Sequence, residues 1–397
     1  MATTYTATDA AGRPVTWRDH KRWAWGLSVA WPLVPLTGPW AHHATGSEWG
    51  LTLPLLLSYG LMPLLDALIG EDRNNPPEAV VAQLDADRYY RWLTWVTVPL
   101  HYVALIGCAA WAGTQDLTWP GLLVLAWVAG AGSGLGLNTA HELGHKHNRW
   151  EQWLARLALA VPAYGHFTVE HGRGHHRWVA TPEDHASARM GESIYRFALR
   201  ELPGGIRRAW ALEGQRLQAA GHSRWGWRNT MLQSYAVTLV LQGALVAAFG
   251  WVMLPFLAVH NLVAWWQLTS ANYVEHYGLL RRRLPGGGYE APQPHHSWNT
   301  NHLVTNLATF HLQRHSDHHA NPSRRYQCLR DFPDLPRLPS GYFGMFTLAY
   351  VPALWFAVMD RRLLALPQVQ GDLSRVNVCP RRRAALQARY PAPVSPR

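Results

Sequence analysis

Nine histidines of this chain stand in four short, regularly spaced pieces. His141 and His145 lie in "HELGHK", and His171, His175 and His176 in "EHGRGHH". His276 lies in "NYVEHYG", and His315, His318 and His319 in "LQRHSDHH". Neutral imidazole is the commonest side-chain metal ligand, and His141 and His145, four residues apart, share one face of a helix. A structural zinc site takes four ligands and usually includes Cys, while a catalytic zinc takes three plus water. Nine imidazoles exceed the needs of one ion. Two ions with four or five nitrogens each fit the count and leave room for oxygen. Imidazole alone does not separate zinc, copper, iron and nickel, so the spacing predicts a dinuclear site and leaves its metal open.

Ligands spread from His141 to His319 need long elements to gather them, and apolar runs supply these. The mean hydropathy of −0.15 hides the runs, because 22 histidines and many arginines stand between them. Six runs extend from about Trp23 to Trp40, Leu51 to Ile69, Trp92 to Ala112, Trp119 to Leu137, Leu232 to Phe249 and Val252 to Ser270. Each has roughly the 17 to 25 residues that cross a bilayer. Pro32, Pro35, Pro54, Pro63 and Pro99 inside them are tolerable where neighbouring helices re-satisfy the backbone. Trp outnumbers Phe 22 to 9, and many of the Trp flank the runs as an interfacial belt would.

The loops after the first, third and fifth runs contain no Lys or Arg, whereas Arg13, Arg18, Lys21 and Arg22 precede the first run and the long segments after the fourth and sixth are rich in Arg. The positive-inside rule then makes both termini cytoplasmic and puts all nine histidines on the cytoplasmic side. The expected fold is an all-α integral membrane protein of about six transmembrane helices, with a cytoplasmic histidine-rich cap holding the dinuclear site. Residues 1–22 read as a cytoplasmic tail, 23–363 as the membrane-embedded body and 364–397 as a second tail. No signal-peptide core precedes the first run, which is expected to direct insertion itself. Trp153 to Tyr164 is too short to cross, and Gly341 to Val358 would export Arg381, Arg382 and Arg383, so both read as interfacial or cap helices. "YPAPVSPR" reads as disordered. "GAGSGLG", from Gly130, lacks the third glycine of a dinucleotide fingerprint and follows a helix-like run, so close helix packing is its expected use.

Net charge is +11, which suits anionic lipid head groups or an acidic protein partner. Nucleic acid is not expected, because the basic residues flank apolar runs and no binding motif is present. Cys108, Cys328 and Cys379 are isolated, which leaves no disulfide framework and no iron–sulfur or rubredoxin-type site. Electrons for any redox chemistry must come from another protein.

The H-x3-H, H-x3-HH and H-x2-HH boxes resemble those of the membrane fatty acid desaturase and hydroxylase superfamily. "NYVEHYGLL" and "HLQRHSDHHA" closely resemble the AlkB-type membrane alkane 1-monooxygenases. The similarity extends from about Trp23 to Leu363 and includes "GEDRNNPPE", "ATPEDHASARMGESIY", "WWQLTSANY" and "HHSWNTNHL". The resemblance implies a non-haem di-iron centre held by the nine histidines and O2 as co-substrate. It further implies hydroxylation of medium or long n-alkanes to 1-alkanols, and a bacterial inner-membrane location. The implied electron donor is rubredoxin, itself reduced by a rubredoxin reductase. Alkane would enter from membrane lipid.

Neutral histidines around two ferrous ions leave about +4 of charge near a low-dielectric boundary. Glu142, Glu170, Glu275 and Asp317 each adjoin a ligand histidine and are expected to accept imidazole N–H bonds, each from another segment, since helix neighbours point about 100° apart. His166, His295, His296, His302 and His311 stand beside the boxes and read as cavity-lining or supporting residues, while His20, His147 and His222 read as solvated. His42 and His43 fall in an outer loop. Ser58, a small residue among bulky neighbours in the second run, either bonds the carbonyl one turn back and faces lipid or a packed helix or faces the alkane cavity; the resemblance implies that this run walls the cavity and makes Ser58 the substrate-tunnel candidate. Two other readings remain: a fatty-acyl desaturase or hydroxylase, which needs a head-group or acyl-carrier site, and a metal transporter. Transporters hold their ions near the bilayer midplane, unlike histidines clustered beyond helix ends.

Overall fold

The computed structural model describes residues 4–391, so all but the first two residues of "YPAPVSPR" lie outside the described residues. Helices form where apolar runs and good N-caps coincide. Asp87, Thr118, Ser193 and Asn229 each accept a backbone N–H with the side chain at the start of the Arg88–Thr114, Trp119–Gly144, Ile194–Ala219 and Thr230–Phe249 helices, satisfying donors that a helix start leaves free.

Among the described residues four helices are long and apolar enough to cross a membrane: Glu48–Ile69, Arg88–Thr114, Trp119–Gly144 and Thr230–Phe249. A fifth candidate is the pair Tyr342–Ala349 and Pro352–Leu364, bent by 119°. Six spans were expected, and the two others differ for identifiable reasons. The first run is a helix in three pieces, Gly26–Ala30, a 3-10 stretch Trp31–Leu36, and Thr37–Thr45. Pro32 and Pro35 remove backbone donors and impose the tighter turn. The sixth is one helix, Met253–His276, whose last turns carry Thr269, Ser270, Asn272, Glu275 and His276. Those polar groups, with His260, Asn261 and Gln267 at mid-length, make the helix less apolar than a simple span, and Thr269 and Asn272 bond Glu201. Gly341 to Val358 is not one cap helix but the bent pair, broken at Tyr350 and Val351. Trp153 to Tyr164 corresponds to the 12-residue helix Arg149–Ala160.

Two strands stand apart from the helices described. Thr4–Thr8 and Pro14–Arg18 pair antiparallel, with Tyr5 opposite Trp17. The turn is closed by Asp9, whose carboxylate accepts from the Ala11 and Arg13 amides. The buried Tyr5 hydroxyl and Arg22 both bond Asp87, at 2.7 and 2.6 Å, which ties this hairpin to the start of the Arg88–Thr114 helix.

Glycine spacing sets the central packing. A Cβ on Gly130 would run into the His260 carbonyl, and one on Gly134 into the Gln267 side chain. The Trp119–Gly144 and Met253–His276 helices therefore approach backbone to side chain, as small residues allow between membrane helices. At the other end of the fold, Phe310 and His311 adopt left-handed φ values of 49° and 52°, each costing about 1–3 kcal/mol for such residues. Ring contacts hold them there: Phe310 on Tyr326 at 4.7 Å and His311 on Trp25 at 4.6 Å. The turn they make returns the chain from the Leu303–Ala308 helix into His315–Ala320.

Gly130→Ala should lower stability by about 1–3 kcal/mol through overpacking, read as a reduced melting midpoint in detergent. Gly243→Ala, at a helical glycine whose Cβ would meet open space, should leave the midpoint unchanged or raise it.

Candidate metal centre

The nine histidines divide into two groups. His141, His145, His171, His176 and His318 form one, and His175, His276, His315 and His319 the other; within each group one candidate ligand atom per residue lies within 4.8 Å of all the rest. Local helix geometry makes the division. His141 and His145 are four apart and stay together, as do His315 and His319, while His318 points away to the first group. Residues Glu170–His175 form a π-helix in which the His176 amide bonds the His171 carbonyl, five residues back. That wider turn brings His171 and His176 onto one face and sends His175 to the other group. π-turns are rare and concentrate at functional sites.

The nitrogens converge at coordination distances. His176 Nε2 lies 3.0 Å from His171 Nε2 and 3.3 Å from His318 Nε2, and His315 Nε2 lies 3.2 Å from His276 Nε2 and 2.9 Å from His319 Nε2. A metal–nitrogen bond of about 2.1 Å places neighbouring ligands about 3.0 Å apart at right angles and about 3.4 Å apart at tetrahedral angles. His141 Nε2 and His175 Nε2, one from each group, are buried without a hydrogen-bond partner. Lone pairs are rarely orphaned in this way unless something else binds them. Burial also holds His145, His171, His176, His315, His318 and His319 well below the ordinary histidine range, keeping them neutral, as metal binding requires. The donor set fits two metal ions.

The carboxylates are arranged differently from the expectation. Glu142 pairs with Lys146 at 3.0 Å, Asp317 with Arg324 at 2.8 Å, and Glu170 with Arg208. Among the described residues none of these three accepts from an imidazole, because a lysine or arginine takes the place expected for the ring N–H. Glu275 Oε2 lies 3.3 Å from His315 Nε2, on the metal-facing edge of that ring, where an oxygen ligand would sit. The carboxylate that does hold an imidazole from behind is Asp184, 2.8 Å from His175 Nδ1. Asp184 was not among the expected residues; its one signal in the sequence was its place in "ATPEDHASARMGESIY". Burial alone would lower His175, but Asp184 raises it. Burial likewise works against the Asp184 charge, yet His175 and Arg208 hold its carboxyl well below the usual range. Ser187 and Arg208 bond its oxygens at 2.7 Å.

An apolar cavity reaches the metal-facing edges of both groups. His141, His171 and His315 line it, with Phe167, Leu268, Ala271, Leu312, Phe343 and Phe346. A second cavity shares Ala131, Leu135, Gln267 and Phe343 with it and extends to Ser58, Tyr59 and Trp31. Tyr59 donates to Gln267 at 2.6 Å where the two meet.

The neighbouring histidines stay outside both groups. His166 bonds the Tyr235 hydroxyl and His311 the Tyr326 carbonyl, at 2.8 and 2.9 Å, and His302 bonds Thr300. His295 and His296 gather with Glu290, but His296 Nδ1 accepts from the Gln293 amide at 2.9 Å. Its Nε2 therefore carries the proton and faces Glu290 as a donor, and Arg281 and Arg282 flank that carboxylate and its backbone. Three histidines were not weighed in advance: His101 and His260, buried among the long helices on Thr139 and on Ser133 and Asn261, and His185 beside the Ile194–Ala219 helix.

Asp184→Asn should weaken metal binding about 10–100-fold, the usual effect of losing an outer carboxylate. Metal retained per chain after dialysis against a graded chelator measures it, and His20→Ala, at an exposed site, should match the wild type.

The comparisons with known proteins agree with this geometry. The fatty acid desaturase family model matches residues 117–358, which include all nine histidines. The chain is 53% identical to an alkane 1-monooxygenase of Pseudomonas putida over 362 residues, covering 91% of this chain and 89% of that protein. It is 52% identical to alkane 1-monooxygenase 1 of Alcanivorax borkumensis, covering 94% and 92%. With an alkane 1-monooxygenase of Acinetobacter baylyi it shares 37% identity, covering 96% and 93%. Similarity of this extent shows that the chain belongs to the alkane 1-monooxygenase family, within the fatty acid desaturases.

Proposed function

We propose that the protein hydroxylates the terminal methyl of n-alkanes with O2 at two iron ions, taking electrons from rubredoxin in the bacterial inner membrane. The observation that carries this reading is an apolar cavity ending on His141, His171 and His315 with no Lys or Arg in its wall or in that of the adjoining cavity. The carboxylate or carrier phosphate of a fatty-acyl substrate would call for a cation, and neither Lys nor Arg is among the residues that line these two spaces. An alkane offers no polar handle, so end-on entry into an apolar channel must set which carbon reacts.

The balance is R–CH3 + O2 + 2 e− + 2 H+ → R–CH2OH + H2O. Bound at the histidines, the ions would supply O2 activation. The chain's own groups do the rest: nine imidazoles hold the ions, Asp184 fixes His175, and the apolar wall excludes water and presents the methyl. Glu275 stands on the metal-facing side and is proposed as an oxygen donor there, with Glu142, Glu170 and Asp317 anchoring the segments that carry the ligands.

Support for rubredoxin comes from a basic groove lined by Arg281, Arg282, Arg283, Arg375, His295 and His296. The His296 carbonyl lies 3.4 Å from His276 Nδ1, so this groove approaches a ligand of the second group through one hydrogen bond. An acidic one-electron carrier would be steered to it. The Arg-rich segments and the histidines on one side support a cytoplasmic site.

Purified protein should bind two iron ions per chain and, with rubredoxin and its reductase, convert octane to 1-octanol carrying label from isotopic O2. The apparent affinity for rubredoxin should weaken as salt rises. Iron-loaded protein that desaturates acyl chains and leaves octane untouched would replace this reading. Ser58→Trp should cut activity on long alkanes more than on octane, because the ring would fill the second cavity beyond the chain end. A product profile unchanged across an alkane series, at normal expression, would put Ser58 outside the channel.

A further inference from the structure

Each turnover of the proposed reaction consumes two protons at a site whose apolar wall excludes water, so protons need a built path. On the side of the main cavity facing the Ile194–Ala219 helix lies a small polar cavity, lined by Glu201, Glu170, His166, His185 and Tyr164, with Phe167 and Asn272 as walls common to both spaces. Glu201 is buried at 5% exposure. It accepts from the Thr269 hydroxyl at 2.8 Å and from the Asn272 amide at 3.2 Å. Among the described residues no cation pairs with it: Arg200 on its own helix is engaged by Glu192 at 2.8 Å, and Arg208 is held by Glu170 and Asp184. His185, partly exposed, stands over Gly204 at the outer edge of the same space.

We propose that Glu201 is the relay carboxyl that carries protons from the His185 side of this cavity, past Asn272, into the cavity that ends on the metal centre. The proposal rests on the monooxygenase reading. Per cycle, Glu201 gives up a proton toward oxygen being reduced to water and regains one from the His185 side, twice, while the two electrons arrive separately from the one-electron carrier. A relay must be able to hold and release a proton near working pH. Burial, with the Glu170 charge beyond it, pushes Glu201 up to about 7 against the Thr269 and Asn272 bonds and the Arg200 charge. The carboxyl is thus protonated below neutrality and ionised above it.

Glu201→Gln preserves size and removes the exchangeable proton; its amide oxygen keeps the bond from Asn272, and its NH2 needs the Thr269 hydroxyl to turn and accept. Infrared titration without turnover gives the first readout: the wild type should show protonated-carboxyl absorption that falls as pH rises through neutrality, and the variant should lose the Glu201 share of that fall while the other buried carboxyls keep theirs. In turnover with octane and reduced rubredoxin, the variant should lose at least tenfold in kcat with KM for octane unchanged. It should also form less alcohol per O2 consumed, and Glu201→Asp should recover part of the rate. His185→Gln should slow turnover in a way that added imidazole restores. A wild type that forms no alkanol would sink the monooxygenase reading itself. With an active wild type, an unaltered infrared band or an unaltered rate and coupling in Glu201→Gln overturns the relay. Should that variant fail to fold, the absence of imidazole rescue in His185→Gln does so.

Discussion

The contact between Asp184 and His175 is the joint on which the site depends. It is buried on both sides, so its charge must be answered within the protein, and Arg208 answers it while also holding Glu170. The loop carrying Asp184, the π-turn carrying His171, His175 and His176, and the Ile194–Ala219 helix are thereby bound into one unit. A buried pair of this kind is weak evidence for net stability. Its value here is geometric, since it fixes which ring nitrogen of His175 carries the proton and where the other points.

Around that unit the molecule keeps two environments a few ångströms apart. The long helices present small and apolar residues to each other, with Gly130 and Gly134 letting two of them meet closely. Their ends, from Asn138 to His145 and from Thr269 to His276, turn polar and carry ligands. Buried ion pairs such as Arg325 with Glu151 fasten the loops that close over those ends. A substrate without polar groups and a cluster of polar ligands can share a boundary because the same helices serve one at mid-length and the other at the tip.

Much of this was legible in the sequence, and the parts that were not have physical reasons. The nine ligand candidates could be picked out because imidazole at that density has few other uses, and the apolar runs marked most of the long helices. The five-and-four division could not be read, because it depends on a π-turn whose i→i+5 bond leaves no compositional mark. Asp184 and Glu201 were invisible for a related reason: a lone carboxylate gains meaning only from what tertiary packing sets against it. The N-terminal hairpin was missed although "TYTAT" and "PVTWR" alternate in the strand manner, because the surrounding charges suggested a tail. The proline-broken first helix shows the same limit, where tolerance for proline was expected and a change of helix type resulted.

The division of the histidines has one further consequence. His175 and His176 are consecutive, as are His318 and His319, and in both pairs one ring serves each ion group. Two peptide units therefore act as rulers between the groups, fixing their separation by covalent geometry and not by soft side-chain packing. Ordering either pair around one ion also orders the backbone that presents a ligand to the other. The entropy spent in seating an ion at one group would then not be spent again at the other, and occupancy of the two groups would be linked through the backbone they share.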